Sequence, residues 1–313
     1  MSRFDIDAYL KHRSRLIDRA LERRLDVSKP HARTIHKAMR YGLFSGGKRL
    51  RPVLLLAAGE LFGAPRKNLL PFACAMEMIH AYSLIHDDLP ALDDDDFRRG
   101  RPATHKIFGE GIALLAGDAL LTEAFHLMAQ PRLGRALKPK LVLEAIREIA
   151  RGAGAGGMAG GQAADLEAEN RAADVAAVER MHAMKTGALI RASARVGALI
   201  GGAPPRQLGR VSRYAGFLGL AFQIADDIMD SAGPDGAGAS EGKKATYPAV
   251  AGSAAARGRA RELLDRCLRE VEVFGKNADP LRGIARAVVE RALEGELSAK
   301  KPSALGQDFR AER

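Results

Sequence analysis

The sequence predicts an all-α protein, folded as a large helical bundle around an apolar cavity. Apolar residues recur at three- and four-residue spacing along most of the chain, Ala and Leu dominate these runs, and no convincing alternating strand pattern occurs. Two segments, 68–88 and 207–230, are apolar around most of their circumference, which is typical of helices inside a bundle. A length of 313 residues with 47% apolar content is enough for a sizeable core.

The helical periodicity divides the chain into segments separated by glycine and proline. The predicted helices lie near residues 5–25, 31–44, 51–63, 68–88, 110–129, 138–151, 174–200, 207–230, 246–274 and 279–296. Breaks fall at Pro30, Gly46-Gly47, 63–65, the Gly- and Ala-rich run 152–161, 201–205 and the loop 233–242. None of these breaks resembles an interdomain linker. Residues 1–297 are therefore predicted to form one domain, and the polar segment 298–313 is predicted to fray.

Cysteine usage and the N-terminal sequence bear on the compartment. Cys74 and Cys267 lie far apart in helical patterns, which does not suggest a disulfide framework and fits a reducing environment. The first 21 residues are charged throughout and lack the apolar core of a signal peptide. No uninterrupted apolar run approaches the roughly 20 residues that a membrane span needs. The sequence predicts a soluble, cytoplasmic protein without stable membrane insertion.

The formal net charge of +11 raises the question of a polyanionic partner. The basic residues are spread along helical faces, and aromatic residues make up only 5% of the chain, so the interleaved aromatics of a nucleic-acid stacking platform are missing. Attraction of small polyanions is an equally good use of the charge. Composition alone does not choose, but nucleic acid is not the partner that the motifs favour.

The stretch 80–105, HAYSLIHDDLPALDDDDFRRGRPATH, concentrates six carboxylates and three arginines after an apolar helical run. Clustered carboxylates repel one another and cost folding stability unless a cation gathers them. Mg²⁺ prefers oxygen ligands and is usually held by one or two carboxylates together with substrate phosphates. Arg98 and Arg99 follow directly, and guanidinium groups match phosphate oxygens bidentately. This stretch therefore predicts a magnesium and phosphate site.

The acidic stretch has two other interpretations. Acidic runs commonly form a solvated turn that merely ends a helix. An EF-hand calcium loop would need a glycine at its sixth position and a glutamate at its twelfth, but a loop starting at Asp93 has Arg98 and Thr104 there. The calcium-loop interpretation fails on these residue types.

A second aspartate cluster echoes the first. The segment FLGLAFQIADDIMD, 217–230, resembles the apolar run that ends in Asp87 and Asp88. Asp226 and Asp230 are four residues apart and share one helix face. Two buried helices would then each end in carboxylates, which predicts a metal-bridged diphosphate site inside an apolar cavity. Its ligand would have a highly charged head and an apolar tail.

Three basic elements are expected to complete this site. They are GGKRLRP at 46–52, with Lys48, Arg49 and Arg51; the Arg98-Arg99 pair; and Lys185 with Thr186. Gly46 and Gly47 would allow the backbone to approach a phosphate closely. The alternative for this motif alone is an ordinary glycine turn with solvated basic side chains.

The ordered set of motifs resembles the short-chain trans-polyprenyl diphosphate synthases, in the form of bacterial farnesyl diphosphate synthase with two extra residues in the first aspartate motif. The motifs are HDDLPALDDDDFRRGRPATH, GGKRLRP, AGDALLTEAF, GGQAADLEAE, MKTGALIRAS, FQIADDIMD and TYPAV. They cover nearly the whole chain. The resemblance implies the isoprenoid synthase type of helical bundle, head-to-tail prenyl transfer with Mg²⁺ (or Mn²⁺) as cofactor, and usually a homodimer.

The resemblance also implies a role for individual residues. Metal binding is expected of Asp87, Asp88, Asp93, Asp226, Asp227 and Asp230. Arg98 and Lys185 would hold the allylic diphosphate. Isopentenyl diphosphate would be held by Lys48, Arg51, His80 and Arg99. Thr186 and Gln223 would face the reacting carbons. Catalytic roles are expected of Asp87, Asp93, Arg98, Lys185, Thr186, Gln223 and Asp226. His80 has an ordinary alternative, since it could be a satisfied core histidine.

These residue types suit the implied chemistry. Metal and cationic side chains stabilise diphosphate as it leaves the allylic carbon. The isopentenyl double bond attacks the allylic cation, a proton is lost, and an apolar cavity keeps water from quenching the cation. Oxygens of Thr186 and Gln223 could stabilise the cation, and they are poorer nucleophiles than free water.

One segment departs from the family pattern. Between the second aspartate motif and TYP, relatives commonly carry a leucine-glycine-lysine segment whose lysine reaches the allylic diphosphate. Here the loop reads SAGPDGAGASEGKKATYP, and that segment is missing. Lys243 or Lys244 would have to substitute for the lysine, and Lys244 is the predicted substrate-binding residue.

Product length is predicted from Tyr82 and Ser83. Tyr82 lies five residues before Asp87, a little over one helical turn deeper on the tail side of the metal site. A bulky ring there would stop a growing chain where Ser83 alone would not, and in the family an aromatic at this position accompanies farnesyl rather than longer products. The prediction is a C15 product. The alternatives are ordinary core packing of Tyr82 and a geranyl or geranylgeranyl product.

Two other functions compete. A cyclising terpene synthase shares the first motif, but usually carries an Asn/Ser/Glu type of second metal motif and does not need GGKRLRP. A non-catalytic subunit of a hetero-oligomeric prenyltransferase would be expected to have lost aspartates or arginines, and here all are present. The substrates predicted for this chain are therefore isopentenyl diphosphate and allylic diphosphates.

Overall fold

The computed structural model describes residues 4–25, 32–168, 174–231 and 246–293, and it is 82% helical, so the predicted all-α class is confirmed. The α-helices of the described residues are α1 Ile6–Glu22, α2 Arg33–Leu43, α3 Leu50–Leu61, α4 Arg66–Asp87, α5 Thr104–Phe108, α6 Glu110–Met128, α7 Pro131–Ala136, α8 Pro139–Ala153, α9 Met158–Ala168, α10 Val175–His182, α11 Ala188–Ile200, α12 Pro205–Ser231, α13 Tyr247–Ala251, α14 Ser253–Val271 and α15 Asp279–Leu293. A π-helical turn, Ala183–Gly187, joins α10 to α11, and a 3₁₀ turn, Glu272–Ala278, joins α14 to α15.

The innermost helices are those whose sequences are apolar on most sides. α4 packs against α3 and α6, α11 packs against α3, α8 and α12, and α12 packs against α14 and α15. The backbones of α3 and α11 nearly touch, since a Cβ atom on Gly197 would come within 2.1 Å of the Leu55 carbonyl oxygen. One continuous apolar core results, and it holds α4 and α12 so that their aspartate-bearing ends are fixed.

Several helix starts follow from capping side chains. Asp5 accepts from the Ala8 amide at 2.9 Å at the start of α1, and Asp174 accepts from the Ala177 amide at 2.6 Å at the start of α10. These bonds satisfy amides that have no partner inside the helix. The starts of α1 and α10 are thus set locally by a residue of the sequence next to the helix.

The structure corrects the predicted elements in three places. The predicted helix 246–274 is broken at Gly252, which adopts a left-handed φ of 85°. The predicted helix 174–200 is interrupted by the π-helical turn. The region 152–161, predicted as a break, already contains the start of α9, because the glycines of α9 pack where side chains would clash: a Cβ on Gly161 would lie 2.1 Å from the Lys185 amide nitrogen.

The structure also contains a small hairpin, although the sequence predicted no strand. β1 Phe97–Arg98 pairs antiparallel with β2 Arg101–Pro102. Arg99 and Gly100 form the turn between them with φ values of 55° and 76°. Left-handed conformations at both central residues match the right-handed twist of a two-residue hairpin. Strands this short leave no alternating pattern to read, but the hairpin fixes both arginines that follow the first aspartate cluster.

One segment bears on the predicted absence of membrane insertion. Residues Glu110–Ala136 are long and apolar enough to cross a membrane by length and composition, with a mean hydropathy of 1.4 over 18 residues, of which 39% are buried in the protein. Core helices of soluble proteins pass the same test, so this observation is weak evidence for a span. The single-domain boundary stays a prediction, and the predicted frayed tail lies outside the described residues.

Candidate active site

The first aspartate cluster lies where α4 ends. Asp87 is the last residue of α4, and the chain then folds back so that the Asp93 amide donates to the Asp87 carbonyl oxygen at 2.8 Å. A turn closed by Leu92 N and Leu89 O, 2.9 Å apart, accommodates the residues between them. The longer spacing of this motif therefore still brings Asp93 back beside Asp87.

Asp87 is a carboxylate that lacks sufficient neutralising charge. Burial raises its pKa to about 6, and the neighbouring charges of Asp93 and Asp88 add to the increase, while Lys185 and Arg98 oppose it. A carboxyl whose charged form is disfavoured in the ligand-free protein gains from any added cation. This electrostatic deficit fits the predicted metal-binding role.

The second cluster lies on the last turns of α12. Burial raises the pKa of Asp226 to about 6, with added repulsion from Asp230 and Asp227, and Lys48 and Arg51 lower it. The two clusters thus have the same electrostatic character on different helices. The basic loop supplies cations to the second cluster, and Lys185 supplies one to the first.

Two of the predicted metal aspartates, Asp88 and Asp227, are buried and make hydrogen bonds within the protein. Asp88 is buried and accepts from Arg98, whose Nε lies 2.7 Å from Oδ1. Asp227 is 5% exposed, accepts from Gln223 Nε2 at 3.1 Å and from the Tyr247 amide at 2.8 Å, and lies 3.5 Å from His182. The prediction assigned all six carboxylates to metal binding, but adjacent residues on a helix point about 100° apart. Asp88 orients an arginine, and Asp227 fastens α12 to α13.

Arg49 and Arg51 of the basic loop point in different directions. Arg49 is 6% exposed and turns inward, donating from Nη1 to Glu77 at 2.7 Å and from Nε to Asp18 at 2.9 Å. Arg51 Nη1 lies 3.2 Å from His80 Nε2, so two of the residues predicted to hold isopentenyl diphosphate are in contact. The prediction grouped Arg49 with the other basic residues of the motif, and the structure instead gives it two carboxylate partners.

Glycines 46 and 47 make room for an arginine in this structure. Arg99 Nη1 donates to the Gly46 carbonyl oxygen, and a Cβ on Gly47 would lie 2.6 Å from the same nitrogen. Both glycines have left-handed φ values, 99° and 122°. The glycine pair was expected to let the backbone approach a phosphate, and here it lets the Arg99 guanidinium approach the loop that carries Lys48.

The π-helical turn presents the remaining predicted residues. Thr186 Oγ1 donates to Gln223 Oε1 at 2.7 Å, so the two residues expected at the reacting carbons are in direct contact. Lys185 Nζ donates to Asp165 at 2.5 Å. A single π turn widens the helix and redirects side chains, and such turns often occur at functional sites. Gly219 of α12 allows close approach, since its Cβ would lie 2.6 Å from the Gly187 Cα.

Two cavities adjoin the clusters. A cavity of about 270 Å³ is lined by residues from the first cluster, the basic loop and the π turn, including Arg51, Tyr82, Asp87, Met158, Lys185 and Thr186. A second cavity of about 260 Å³ includes Lys48, Phe222 and Asp226 in its lining. Tyr82 and Ser83 both line the first cavity, so the residues predicted to control product length share it with Asp87. Lys244 lies outside the described residues.

Sequence reasoning missed four polar residues near the site. Asp165 pairs with Lys185, His182 approaches Asp227, and Glu77 pairs with Arg49. Gln162 lines the 270 Å³ cavity, and its side-chain oxygen and nitrogen are buried without a hydrogen-bond partner among the described residues. Gln162 and Asp165 lie in the motif GGQAADLEAE, so that motif could have identified them as site residues. Glu77 could have been identified because it is a charged residue within an apolar run.

The donor set fits a divalent cation shared with a ligand. Within the described part of the chain, no three His, Cys, Asp or Glu side chains lie close enough to hold a metal by themselves. Mg²⁺ commonly takes only one or two protein carboxylates and completes its shell with phosphates and water. Open carboxylate clusters with raised pKa values beside guanidinium groups match that requirement.

Known proteins resemble this chain in sequence and in structure. The polyprenyl synthetase family model matches residues 32–277. Farnesyl diphosphate synthase of Geobacillus stearothermophilus is 43% identical over 88% of this chain and 95% of its own. The large subunit 1 of the chloroplastic heterodimeric geranylgeranyl pyrophosphate synthase of Arabidopsis thaliana is 40% identical over 93% of this chain and 80% of its own. A crystal structure of an FPP/GFPP synthase from Zymomonas mobilis superposes with a TM-score of 0.83 at 40% identity, covering 91% of this chain and 98% of that one.

The fold and the site, taken with these similarities, define a prenyltransferase with the all-α isoprenoid synthase fold. The chain belongs to the polyprenyl synthetase family and is a prenyl diphosphate synthase of isoprenoid biosynthesis. Its relatives include synthases of C15 and of C20 products, so the family leaves the product length open.

Proposed function

We propose that the protein condenses isopentenyl diphosphate with dimethylallyl or geranyl diphosphate, head to tail and with Mg²⁺, to give farnesyl diphosphate. The observation that supports the C15 product is Tyr82, whose partly buried ring lines the same cavity as Asp87 one helical turn away. The Tyr82 ring also contacts the His86 ring edge-on, with the two ring centroids 5.7 Å apart. A prenyl chain anchored at Asp87 and extending along α4 would meet this ring.

The proposed roles follow from position. Asp87 and Asp93 at the end of α4, with Asp226 and Asp230 on α12, would hold Mg²⁺, or Mn²⁺ in its place. Bound metal would supply positive charge that stabilises the departing diphosphate. Lys185 and Arg98 would bind the allylic diphosphate, because Lys185 and Arg98 are the cations that act on Asp87. The Thr186–Gln223 pair would direct polar oxygens at the allylic cation while the surrounding apolar wall excludes water.

The isopentenyl side would consist of Lys48, Arg51, His80 and Arg99. His80 is suited to neutral hydrogen bonding, because burial and the surrounding arginines hold its pKa well below the ordinary value. Arg51 remains charged although burial lowers its pKa to about 10. Isopentenyl diphosphate would thus meet fixed cations together with an uncharged imidazole that can donate or accept.

Product analysis tests the proposal directly. Incubation with isopentenyl and dimethylallyl diphosphates plus Mg²⁺, followed by dephosphorylation and chromatography, should give mainly farnesol. A geranyl or geranylgeranyl alcohol would replace the C15 assignment and keep the enzyme class. If the purified chain makes no product, and product appears only after a second subunit is added, the result would favour the role of a non-catalytic partner.

We further propose a soluble, cytoplasmic homodimer that uses α6 as an interface. Leu114 and Leu115 on α6 are 47% and 52% exposed, and Leu143 on α8 is 67% exposed. Large exposed leucines on adjacent helices are costly in water and commonly mark protein contacts. A second copy that covers α6 would also account for an apolar segment of which only 39% is buried in one chain. Sedimentation equilibrium should give twice the chain mass.

The two diphosphate subsites are expected to respond separately to mutation. Arg51→Ala should raise the KM for isopentenyl diphosphate about ten- to a hundredfold, the size expected when a bound phosphate loses a charged partner. Arg98→Ala should instead raise the KM for the allylic substrate, because Arg98 lies against the first aspartate cluster. Initial rates measured while each substrate is varied separately decide between the two.

Arg66→Ala serves as the matched control for these variants. Arg66 pairs with Glu60 at the surface, and its side chain is 55% exposed. Its loss should leave both KM values unchanged. Equal effects of Arg51→Ala and Arg98→Ala on the two substrates would contradict the assignment of separate subsites.

A further inference from the structure

One buried glutamate, Glu77, pairs with Arg49 of the basic loop and interacts electrostatically with Arg51 and with Arg99 of the hairpin. Glu77 lies on α4 one turn before His80, and its side chain is 5% exposed. The Arg49 guanidinium, equally buried, donates to Glu77 Oε1 at 2.7 Å. Glu77 Oε2 has no hydrogen-bond partner within the described part of the chain. A buried carboxylate with one free oxygen is costly unless nearby positive charge compensates it.

That compensation comes from all three arginines. Burial lowers the pKa of Arg51 to about 10, and among its charged neighbours Glu77 opposes this shift most. Burial also lowers the pKa of Arg99, again with Glu77 as the leading opposing charge. For Arg49, burial is outweighed by Glu77 and then Asp18, so the pKa is raised. Glu77 is therefore the shared counter-charge of Arg49, Arg51 and Arg99, of which Arg51 and Arg99 are predicted to hold isopentenyl diphosphate.

We infer that Glu77 is the resident counter-ion of the proposed isopentenyl diphosphate subsite: it holds Arg49, Arg51 and Arg99 together when no diphosphate is bound and thereby sets the affinity for that diphosphate. This inference rests on the proposed function of the subsite. Glu77 does not contact the substrate. It acts through the arginines, by pairing with Arg49 directly and by offsetting the repulsion among all three.

The sign of the effect follows from charge balance. Glu77→Gln keeps the shape and an acceptor for Arg49 but removes the negative charge, so an incoming diphosphate neutralises more uncompensated positive charge and binds more tightly. Arg49→Gln leaves Glu77 free to neutralise Arg51 and Arg99, so diphosphate binds more weakly. The double variant removes one charge of each sign and leaves the net charge of the cluster unchanged.

Calorimetric titration with isopentenyl diphosphate in metal-free buffer measures this subsite, because the aspartate clusters repel diphosphate without a cation. The Kd should fall about five- to tenfold in Glu77→Gln and rise about five- to tenfold in Arg49→Gln, as expected for one charge several ångströms away in a partly buried site. The double variant should bind like the wild type. If Glu77→Gln fails to fold, Arg49→Gln and the double variant still decide.

Thermal unfolding separates a counter-ion from a purely structural ion pair. Glu77→Gln should lower Tm more without ligand than with saturating isopentenyl diphosphate, because the ligand restores the missing negative charge. The control is Glu60→Gln, which removes the same charge from a 2.7 Å pair with the buried Arg13 outside both cavities. That variant should lower Tm equally with and without ligand and leave the Kd unchanged.

Two results would overturn the inference in distinguishable ways. If the wild type binds isopentenyl diphosphate but Glu77→Gln and Arg49→Gln bind it with the same Kd as the wild type, Glu77 has no counter-ion role and the subsite stands. If the wild type does not bind isopentenyl diphosphate without metal, or if Arg51→Ala leaves that binding intact, the proposed subsite is wrong. The proposed role of Glu77 is then lost with it.

Discussion

Replacing Asp87 or Asp226 by alanine is expected to lower turnover by several orders of magnitude while the fold stays intact. Each carboxylate belongs to a cluster at the end of a core helix, and each carries an electrostatic deficit that a metal–diphosphate complex would relieve. Among the described residues, neither side chain makes a hydrogen bond or ion pair, whereas Asp227 accepts from the Tyr247 amide. Loss of the carboxylate should therefore affect chemistry far more than structure.

Steady-state rates at saturating Mg²⁺, with circular dichroism to confirm the fold, measure this effect. Asp265→Ala is a suitable control, since Asp265 is exposed on α14 away from both cavities. Turnover close to that of the wild type in either site variant would remove that aspartate from the proposed metal site.

The same carboxylates predict a pH dependence of stability. Asp226 has a pKa near 6 in the folded protein against 3.8 as the ordinary value, so its contribution to the free energy of unfolding is fully present below about pH 4 and is lost as pH rises through 6. Asn at this position stays neutral at every pH. In metal-free buffer, Asp226→Asn should thus match the wild type near pH 4 and be the more stable protein near pH 7. A stability difference that does not change between these pH values would show that Asp226 is not destabilised by its charge.

Tyr82→Ala is expected to shift the main product from C15 to C20 or longer. The Tyr82 ring lines the 270 Å³ cavity that also contains Asp87, and burial together with the Asp87 charge raises the pKa of its hydroxyl, so the ring is held in an apolar setting as a neutral group. Ser83, the next residue, bonds its hydroxyl back to the His80 carbonyl oxygen at 2.9 Å and adds little bulk. Removing the ring should open the path along α4 for another prenyl unit.

Tyr82→Phe is the matched control, because it keeps the ring and removes only the hydroxyl. It should retain the C15 profile on chromatography of dephosphorylated products. A Tyr82→Ala enzyme that still makes only C15, or a wild type that already makes mainly C20, would falsify the role of Tyr82 as the floor of the cavity.

The sequence by itself determined the fold class and the family, and it supplied the residues that are proposed for the site. Helical periodicity is a local property, so long segments such as α4 and α12 were recognisable without tertiary information. Residue chemistry was also local: carboxylate clusters with guanidinium groups predict metal and phosphate in any fold. Thr186 and Gln223, 37 residues apart, are in direct contact, and their predicted role at the reacting carbons stays a prediction.

What only the tertiary structure decided is the direction in which neighbouring side chains point. Arg49 and Arg51 are two residues apart in one motif, yet Arg49 binds Glu77 and Asp18 while Arg51 lines a cavity beside His80. Asp87 and Asp88 differ in the same way. Consecutive helical residues diverge by about 100°, so a one-residue difference separates Asp87, which lines the cavity, from Asp88, which holds an arginine.

The interruptions of the helices also depended on packing. The π turn that carries Lys185 and Thr186 lies between Gly161 of α9 and Gly219 of α12, where added Cβ atoms would come within 2.1 and 2.6 Å of the turn's backbone. The two glycines that allow this approach are 58 positions apart, and no local sequence pattern predicts that they lie close together. Backbone contact between distant glycines is settled only when the whole chain has packed, which is why the composition of the site could be predicted and its geometry could not.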